Sequence, residues 1–245
     1  MFEVYGSWVI KYNVLAAGAP LVAITFDDGY ADTYSVAHSY LKTKNMVATM
    51  YAISSLIDTA GYCTTANLLE MQADGWTIGN HTSDHTLLDT LTLAEQETNI
   101  NACKNFLYGI GITGNHPLHL SYPGGHKDAN TVTAMTNLGM LTGRLNTGSA
   151  ITARPISDYY AVPTFGIINT VSLTDAKTTI DNLVFLKRCA TLMFHKLVET
   201  PTEEIEWSIS DFQALVDYIL SKGVITVNMD ELYSINTQAT TIRHH

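Results

Sequence analysis

Basic residues are scarce in this sequence. Lys and Arg together number 13, against 23 Asp and Glu, so the formal net charge is −10 over 245 residues. A surface of this sign repels phosphate groups, which argues against nucleic acid or an anionic membrane as a partner. It suits a neutral or cationic substrate. Hydrophobic residues make up 46% of the chain, which is ample for a substantial core.

Cysteine is also scarce, and long apolar runs are missing. The three cysteines, Cys63, Cys103 and Cys189, form no Cys-x-x-Cys pair, so neither a thiolate zinc site nor a disulfide framework is indicated. We expect them to be small core residues, with one bridge left open if the chain is exported. No apolar run has transmembrane length, and Met1 is not followed by a basic signal-peptide start. We therefore expect no membrane insertion and no signal peptide.

The chain reads as one large domain with short flanking pieces. We expect the domain over residues 20–235, after an N-terminal extension, residues 1–19, that could be the end of an upstream domain. Residues 236–245 are expected to be a tail, and His244 and His245 resemble a tag remnant, so we give them no function.

Strand-like and helix-like segments alternate along this domain, an order that favours a parallel sheet in a barrel or a doubly wound fold. A capping box of Thr92 and Glu95 opens one helix, and a second box, Ser210 and Gln213, opens the last one. The predicted strands are residues 21–26, 46–53, 76–80, 118–122, 139–145, 159–168, 190–195 and 224–229. The predicted helices are residues 31–44, 67–74, 92–108, 128–138, 174–187 and about 210–222.

Two adjacent carboxylates, Asp27 and Asp28, end the first strand. Like charges at the tip of a buried strand repel each other and resist desolvation, so they call for a cation. Their plainer interpretation is that they cap the helix that follows. The pair His81 and His85 has the spacing of two imidazoles on one turn, although solvated surface histidines often share it. Together the four residues predict a metal site. Thr82 follows the first histidine, which excludes a His-Glu-x-x-His zincin helix.

These residues resemble the polysaccharide deacetylases of carbohydrate esterase family 4, the NodB-homology domain. The resemblance covers about residues 20–233 and follows the family's order of motifs. It is carried by Thr25-Phe26-Asp27-Asp28-Gly29, His81-Thr82-Ser83-Asp84-His85, Ser121-Tyr122-Pro123-Gly124-Gly125 and Leu192-Met193-Phe194-His195.

The resemblance implies a fold and a set of roles. It implies an α/β fold, a distorted (β/α) barrel with about seven parallel strands. The metal would be zinc, or a relative such as cobalt or nickel, and the substrate an acetylated polysaccharide outside the cell or at its surface. The implied roles are Asp27 as general base, His195 as general acid, Asp28, His81 and His85 as metal ligands, and Gly124, Tyr122 and Pro123 as the oxyanion and substrate turn.

Two departures from the family pattern bear on how the catalytic groups are held. Many members have Arg at the position of Ser121, where it orients the catalytic Asp, and an Asp-Trp motif that tunes the catalytic His is absent between residues 139 and 189. Asp158, Asp175 or Arg144 could substitute, and the sequence does not choose among them.

The leading hypothesis is N-deacetylation of a GlcNAc-containing polymer such as peptidoglycan, poly-GlcNAc or chitin. Two alternatives stay open, an O-deacetylase of acetylated xylan and a carbohydrate-binding module of a larger assembly with a degenerate site. Tyr51, Trp76 and Trp207 could line a sugar groove, but core packing is the better expectation for each.

Overall fold

The structure is a computed structural model that describes residues 18–148 and 151–241. Residues 1–17 of the expected N-terminal extension, and the histidines His244 and His245, lie outside the described residues. Within these residues, nine strands form one curled sheet, and two further strands pair separately. The strands are β1 Leu21–Phe26, β2 Thr49–Ala52, β3 Thr77–Asn80, β4 His119–Ser121, β5 Thr142–Arg144, β6 Ile151–Thr152, β7 Phe165–Gly166, β8 Cys189–Phe194, β9 Lys196–Val198, β10 Glu206–Ser208 and β11 Ile225–Val227.

The sheet has the order β5-β4-β3-β2-β1-β8-β6, with β11 also paired to β1 and β7 to β8. Its seven strands of three or more residues all run parallel, whereas the two-residue β6 is antiparallel to β8. Strands β1 to β5 follow one another in one direction, as in a barrel and unlike the reversing order of a doubly wound sheet. The predicted distorted barrel of about seven parallel strands is confirmed.

Strand β1 lies at the middle of this sheet. Strand β8 pairs with all six of its residues, while β11 pairs with its first half and β2 with Thr25 and Phe26. Because a strand has only two edges, β11 and β2 share the second one. All six β1 side chains are buried, which explains why this segment reads as an unbroken apolar run.

Helices cover the sheet and are fixed by local caps. The predicted capping box of the helix Leu93–Gly109 is confirmed, because Thr92 Oγ1 accepts from Glu95 N and Glu95 Oε2 accepts from Thr92 N. No helix in the described part of the chain is long and apolar enough to cross a membrane. The helices are α1, π-helical over Thr33–His38 and α-helical over Ser39–Thr43, α2 Thr65–Ala73, α3 Leu93–Gly109, α4 Ala129–Asn137, α5 Leu173–Leu186, α6 Ile209–Ser221 and α7 Met229–Thr241.

An aromatic cluster forms the centre of the core. The Phe26 ring lies 5.8 Å from Trp76 and 5.4 Å from Phe194, and Trp207 packs 5.7 Å from Phe194. Burying a ring of this size contributes about 1.5–3 kcal/mol relative to its exposure. Trp76 and Trp207 are therefore core residues, as is the fully buried Tyr51, and the sugar-groove alternative is wrong for all three.

The three cysteines also lie in the core. All of them are buried and free of disulfides. Their interpretation as small core residues is therefore confirmed.

Two expectations about the C-terminal region are wrong. Helix α6 is capped by Ser208, whose hydroxyl accepts from Asp211 N, and not by the predicted Ser210 box. The last strand ends at Val227, because Asn228 and Glu231 form a reciprocal cap that starts α7. This helix crosses the expected boundary between domain and tail.

A third expectation is wrong as well. Part of the predicted extended segment 159–168 is a short 3₁₀ turn, Tyr159–Ala161.

Candidate metal centre and active site

Polar side chains gather where the parallel strands end. Asp27 and Asp28 follow β1, His81 follows β3, and His195 follows β8. The same edge carries the turn Pro123–Gly125 after β4, and Arg144 closes β5. Parallel strands in a barrel bring their carboxyl ends together on one face, so residues far apart in sequence become neighbours.

Three side chains converge on one point, as the sequence predicts. Asp28 Oδ1 lies 3.3 Å from His81 Nε2 and 3.5 Å from His85 Nε2. The three atoms lie within 4.8 Å of one another. A tetrahedral zinc ion with bonds of about 2.0 Å keeps its ligand atoms about 3.3 Å apart. The spacing therefore fits a metal ion of this size.

The hydrogen bonding of His81 shows which atom faces this point. Its Nδ1 lies 2.8 Å from the carbonyl oxygen of Ser121, and because a carbonyl only accepts, Nδ1 carries the hydrogen. In neutral His81 the Nε2 lone pair then points toward Asp28 Oδ1, which is buried and makes no hydrogen bond with the described residues. Two acceptors facing each other require a proton or another cation between them. Burial lowers the pKa of His81, but the charges of Asp27 and Asp28 raise it above its ordinary value, so a proton fills this place when no metal is bound. A divalent metal that displaces the proton would meet the same two atoms, so this donor set fits one.

The charges around the cluster keep Asp28 ionised. Burial raises the pKa of its carboxyl, but the neighbouring imidazoles of His81, His195 and His85 outweigh burial and hold the pKa at about 2. Burial and the charge of His81 lower the pKa of His85, which favours its neutral form. A carboxylate and a neutral imidazole are the protonation states in which these side chains bind a metal.

Two of the three candidate ligands adopt a backbone conformation that is rare outside glycine. Asp28 has φ 71° and His85 has φ 64°, and Thr82 between the two histidines also has φ 64°. Each such residue costs about 1–3 kcal/mol and persists only where its surroundings hold it.

Side chains of β3 and α3 hold the loop that carries both histidines. Asn80 Oδ1 accepts from Thr82 N at 2.8 Å, and Thr82 Oγ1 accepts from His85 N at 3.1 Å. Asn99 on α3 accepts from the backbone N of Ser83 at 2.6 Å. Its amide also donates to Asp84 Oδ1 at 2.7 Å. Sequence reasoning missed both asparagines, because neither belongs to a motif and their partners are set by tertiary packing.

Asp27 has a different environment from its neighbour. Its carboxylate is buried and contacts the Arg144 guanidinium through both oxygens. The hydroxyl of Ser121 donates to Asp27 Oδ2 at 3.2 Å. Burial raises the pKa of Asp27, but the charge of Arg144, followed by that of His81, lowers it below its ordinary value. Asp27 is thus held as an ion without being one of the three converging ligands.

Arg144 is the group that the sequence left among three candidates. It closes β5 opposite Ser121 of β4 and is fully buried. The other two candidates cap turns and helices elsewhere. Asp158 accepts from the backbone N of Tyr160, and Asp175 forms the capping box of α5 with Ser172. Only Arg144 reaches Asp27 among these three.

His195 lies beside Asp27 without a carboxylate partner of its own. The backbone N of Asp27 donates to the Phe194 carbonyl at 2.9 Å, which brings the residue after Phe194 next to the site. The Nδ1 atom of His195 is buried and has no hydrogen-bond partner in the described residues. Nothing in the described chain thus replaces the tuning residue that the family pattern supplies.

The turn after β4 presents one backbone N–H, that of Gly124, without an acceptor among the described residues. Gly124 has φ 59° and is the second residue of a single 3₁₀ turn, a position whose N–H has no acceptor inside the turn. Its carbonyl accepts from Asn146 Nδ2 at 2.7 Å, which fixes the peptide. A Cβ at this position would approach Leu87 Cδ2 to 2.9 Å and would sit on a strained backbone, so glycine is favoured here.

The neighbours of Gly124 serve mainly to shape this turn. The Tyr122 hydroxyl donates to the Tyr160 carbonyl at 2.9 Å, and its backbone N donates to the Arg144 carbonyl. Both Tyr122 and Pro123 are buried. Of the three predicted oxyanion and substrate residues, Gly124 has the available N–H group, and the other two support it.

Comparison with known proteins agrees with these observations. The family model "Polysaccharide deacetylase" matches residues 16–143, just over half of the chain. A curated relative, the putative polysaccharide deacetylase YxkH of Bacillus subtilis (strain 168), is 33% identical over 122 residues. This match covers 50% of the chain and 43% of the relative, so the chain spans less than half of the relative's length.

Solved structures share the fold. The peptidoglycan deacetylase PdaC from Bacillus subtilis superposes with a TM-score of 0.60 at 19% identity, covering 92% of this chain and 95% of that one. A family 4 acetyl xylan esterase from Clostridium thermocellum, in complex with a cobalt ion, superposes with a TM-score of 0.62 at 16% identity. That match covers 88% of this chain and 91% of the esterase.

Proposed function

Because the chain belongs to the polysaccharide deacetylase family, carbohydrate esterase family 4, we propose that it is a metal-dependent hydrolase that removes N-acetyl groups from a GlcNAc-containing polysaccharide. The observation that carries this proposal is the convergence of Asp28 Oδ1 with the Nε2 atoms of His81 and His85. The base, the acid and an oxyanion donor flank this point on the same face of the sheet.

Asp28, His81 and His85 would hold the divalent cation. Zinc is our first choice, with cobalt or nickel as relatives, and the Clostridium thermocellum esterase of the same fold is described with cobalt. Such an ion supplies a Lewis acid that polarises the acetyl carbonyl and makes water more acidic.

The chain's own residues supply the proton transfers. Asp27, held as a carboxylate, takes one proton from the attacking water while the water oxygen bonds to the acetyl carbon. The Gly124 N–H donates to the oxygen on which negative charge develops. His195 then gives a proton to the sugar nitrogen as the carbon–nitrogen bond breaks, which releases acetate and a free amine.

An O-deacetylase of acetylated xylan is the second candidate. The unpartnered Nδ1 of His195 favours it, because no carboxylate supports the protonated imidazole that an amine leaving group needs. The oxygen of an ester leaves with less help from an acid. The non-catalytic alternative loses part of its motivation, since Arg144 supplies a guanidinium to Asp27 although Ser121 does not.

We further propose that the protein acts outside the cell or at its surface. A polysaccharide does not cross a bilayer, so the enzyme must meet it where the polymer lies. Detection of the protein only in the cytoplasmic fraction of its host would refute this location.

The decisive experiment measures acetate release by protein loaded with zinc or cobalt, from N-acetyl chito-oligosaccharides and from acetylated xylan. Replacing Asp27 with Asn keeps the side-chain size but removes the proton acceptor, and we expect activity to fall at least about 100-fold. Asp217→Asn, at an exposed carboxylate paired with Lys44, is the matched control.

The outcomes separate the candidates. Faster release from chito-oligosaccharides supports the amidase, and faster release from xylan supports the esterase. Wild-type protein that binds metal and glycan but releases no acetate favours the binding module. Full activity of Asp27→Asn would eliminate the proposed base.

A further inference from the structure

Ser121 and Arg144 are register partners on the adjacent parallel strands β4 and β5. Side chains of paired residues in a sheet stand on the same face, so the two occupy neighbouring positions above the strand ends. The Arg144 guanidinium contacts both carboxylate oxygens of Asp27 and also the hydroxyl of Ser121. The guanidinium thus reaches Asp27 from the strand position next to Ser121.

The burial of Arg144 is unfavourable unless a specific contact compensates it. A guanidinium without water needs an anion and well-placed acceptors. In the described residues its ion-pair partner is Asp27. Its Nη1 donates to the Leu145 carbonyl at 2.8 Å. Among the described residues Arg144 makes no ion pair at the surface, so its pairing with Asp27 compensates the cost of burying its charge.

An aromatic ring supports the guanidinium from below. The carbon at its centre lies 5.2 Å from the ring centroid of Tyr51, close enough for a cation–π contact in a desolvated setting. Tyr51 is fully buried, and its hydroxyl has no hydrogen-bond partner in the described residues. The ring has room only because β3 carries Gly79, where a Cβ would lie 2.6 Å from the ring.

We infer that the arginine that orients Asp27 stands on β5 in this protein, one strand away from the β4 position of Ser121, where many family members have it. Arg144, packed against the Tyr51 ring, sets the orientation of Asp27. The inference rests on the proposed function, since Asp27 is the base of that reaction. Arg144 is a positioning residue, because it touches the carboxylate and not the substrate. Ser121 supplies a second, weaker donor to the same carboxylate.

The test returns the arginine from position 144 to position 121. Arg144→Ser is compared with the exchange variant Ser121→Arg/Arg144→Ser, which keeps the composition and nearly the volume of the pair. Arg144→Lys keeps the charge without the planar fork, and Arg154→Met removes a half-buried arginine away from the site as the control. Each variant is characterised by its kcat and KM for acetate release, its cobalt affinity and a crystal structure.

Misplacement of a catalytic group by about 1 Å can cost about 100-fold in rate, so we expect Arg144→Ser to lower kcat by about that factor. The KM and the cobalt affinity should change little. Arg144→Lys should fall in between, and the exchange variant should recover most of the lost kcat, with the Asp27 carboxylate back in its original position in the crystal. Arg154→Met should behave like the wild type.

Wild-type kcat in Arg144→Ser, or an exchange variant no better than Arg144→Ser, would overturn the inference. If the wild type releases no acetate from any substrate, the proposed function fails, and the crystal structures still decide the positioning role. An Asp27 carboxylate that keeps its place without Arg144 would then refute it.

Discussion

Asp27 and Asp28 are neighbours in sequence, but their carboxylates contact different groups. Asp27 faces Arg144, a permanent cation that belongs to the protein. Asp28 faces two imidazole nitrogens, and its buried Oδ1 has no hydrogen-bond donor in the described residues. The peptide between them turns sharply, with Asp28 at φ 71°, so that the two carboxylates point to different partners. One is therefore suited to be a base and the other a ligand.

Replacement of Gly79 by alanine should disturb the packing of the Tyr51 ring that supports the site. Its added Cβ would lie 2.6 Å from the Tyr51 ring and 2.9 Å from the His119 carbonyl. We expect Gly79→Ala to lower the free energy of unfolding by about 1–3 kcal/mol, as overpacked cores do. Urea unfolding measures this change.

Gly109 supplies the control for this substitution. It lies at the end of α3 with open space around its Cα, so Gly109→Ala should be neutral or slightly stabilising. Equal stability of the two variants would contradict the packing account of Gly79.

The residues of the candidate site could be predicted from the sequence to the extent that they belong to short motifs. Asp27, Asp28 and His81 each follow a predicted strand end, His85 lies four residues beyond His81, and the structure brings all four together. The sequence names Arg144 only as one of three candidates to replace the family arginine, and the choice depends on which residue of β5 lies opposite Ser121. A register of this kind is a property of the folded sheet and leaves no local signal.

At the scale of elements, the loop from His81 to His85 depends on helix α3. Removing the Asn99 side chain deletes its bonds to Ser83 N and Asp84 Oδ1. Because outer contacts of this kind orient the ligands, we expect Asn99→Ala to weaken cobalt binding by about 10–100-fold. Calorimetric titration of metal-free protein measures the affinity.

Asn105→Ala changes an exposed asparagine on the same helix and should leave the cobalt affinity unaltered. If Asn99→Ala binds cobalt as tightly as this control, α3 does not hold the loop.

Element boundaries show the limit of local signals. Both Thr92 and Ser210 fit the capping-box pattern in sequence, and only the first proved right. Ser208 caps α6 because β10 ends there and delivers its hydroxyl to Asp211 N, whereas Ser210 lies inside the first turn. Local spacing identified the helix, and the preceding strand decided where it begins.

At the scale of the whole molecule, helix α7 is linked to strand β4 of the sheet through Asp230. Its carboxylate lies 3.3 Å from His119 Nε2, and Asn115 donates to it at 3.2 Å. The hydrogen bond with His119 lowers the pKa of Asp230 below its ordinary value of 3.8, although burial opposes the change. A carboxyl with a lowered folded-state pKa stabilises the fold above its unfolded pKa, and the benefit is lost as the pH falls through the folded value.

We therefore expect Asp230→Asn to reduce the free energy of unfolding by about 1 kcal/mol at neutral pH. The difference from the wild type should shrink as the pH falls below 3.8. Urea unfolding across this range measures it, with the exposed Glu204→Gln as the control. A difference that stays constant down to the lowest pH would show that the Asp230 charge is not involved.

The position of β1 has a consequence for how the chain is made. On the ribosome, Leu21–Phe26 emerges long before its partner strand, so the edge that β8 covers stays open until Cys189–Phe194 has been synthesised. The three candidate metal ligands are complete once His85 has left the exit tunnel, whereas the partners of Asp27 arrive with Arg144 and His195. The nascent chain thus holds the proposed metal ligands well before it holds the proposed acid and the partner of the proposed base.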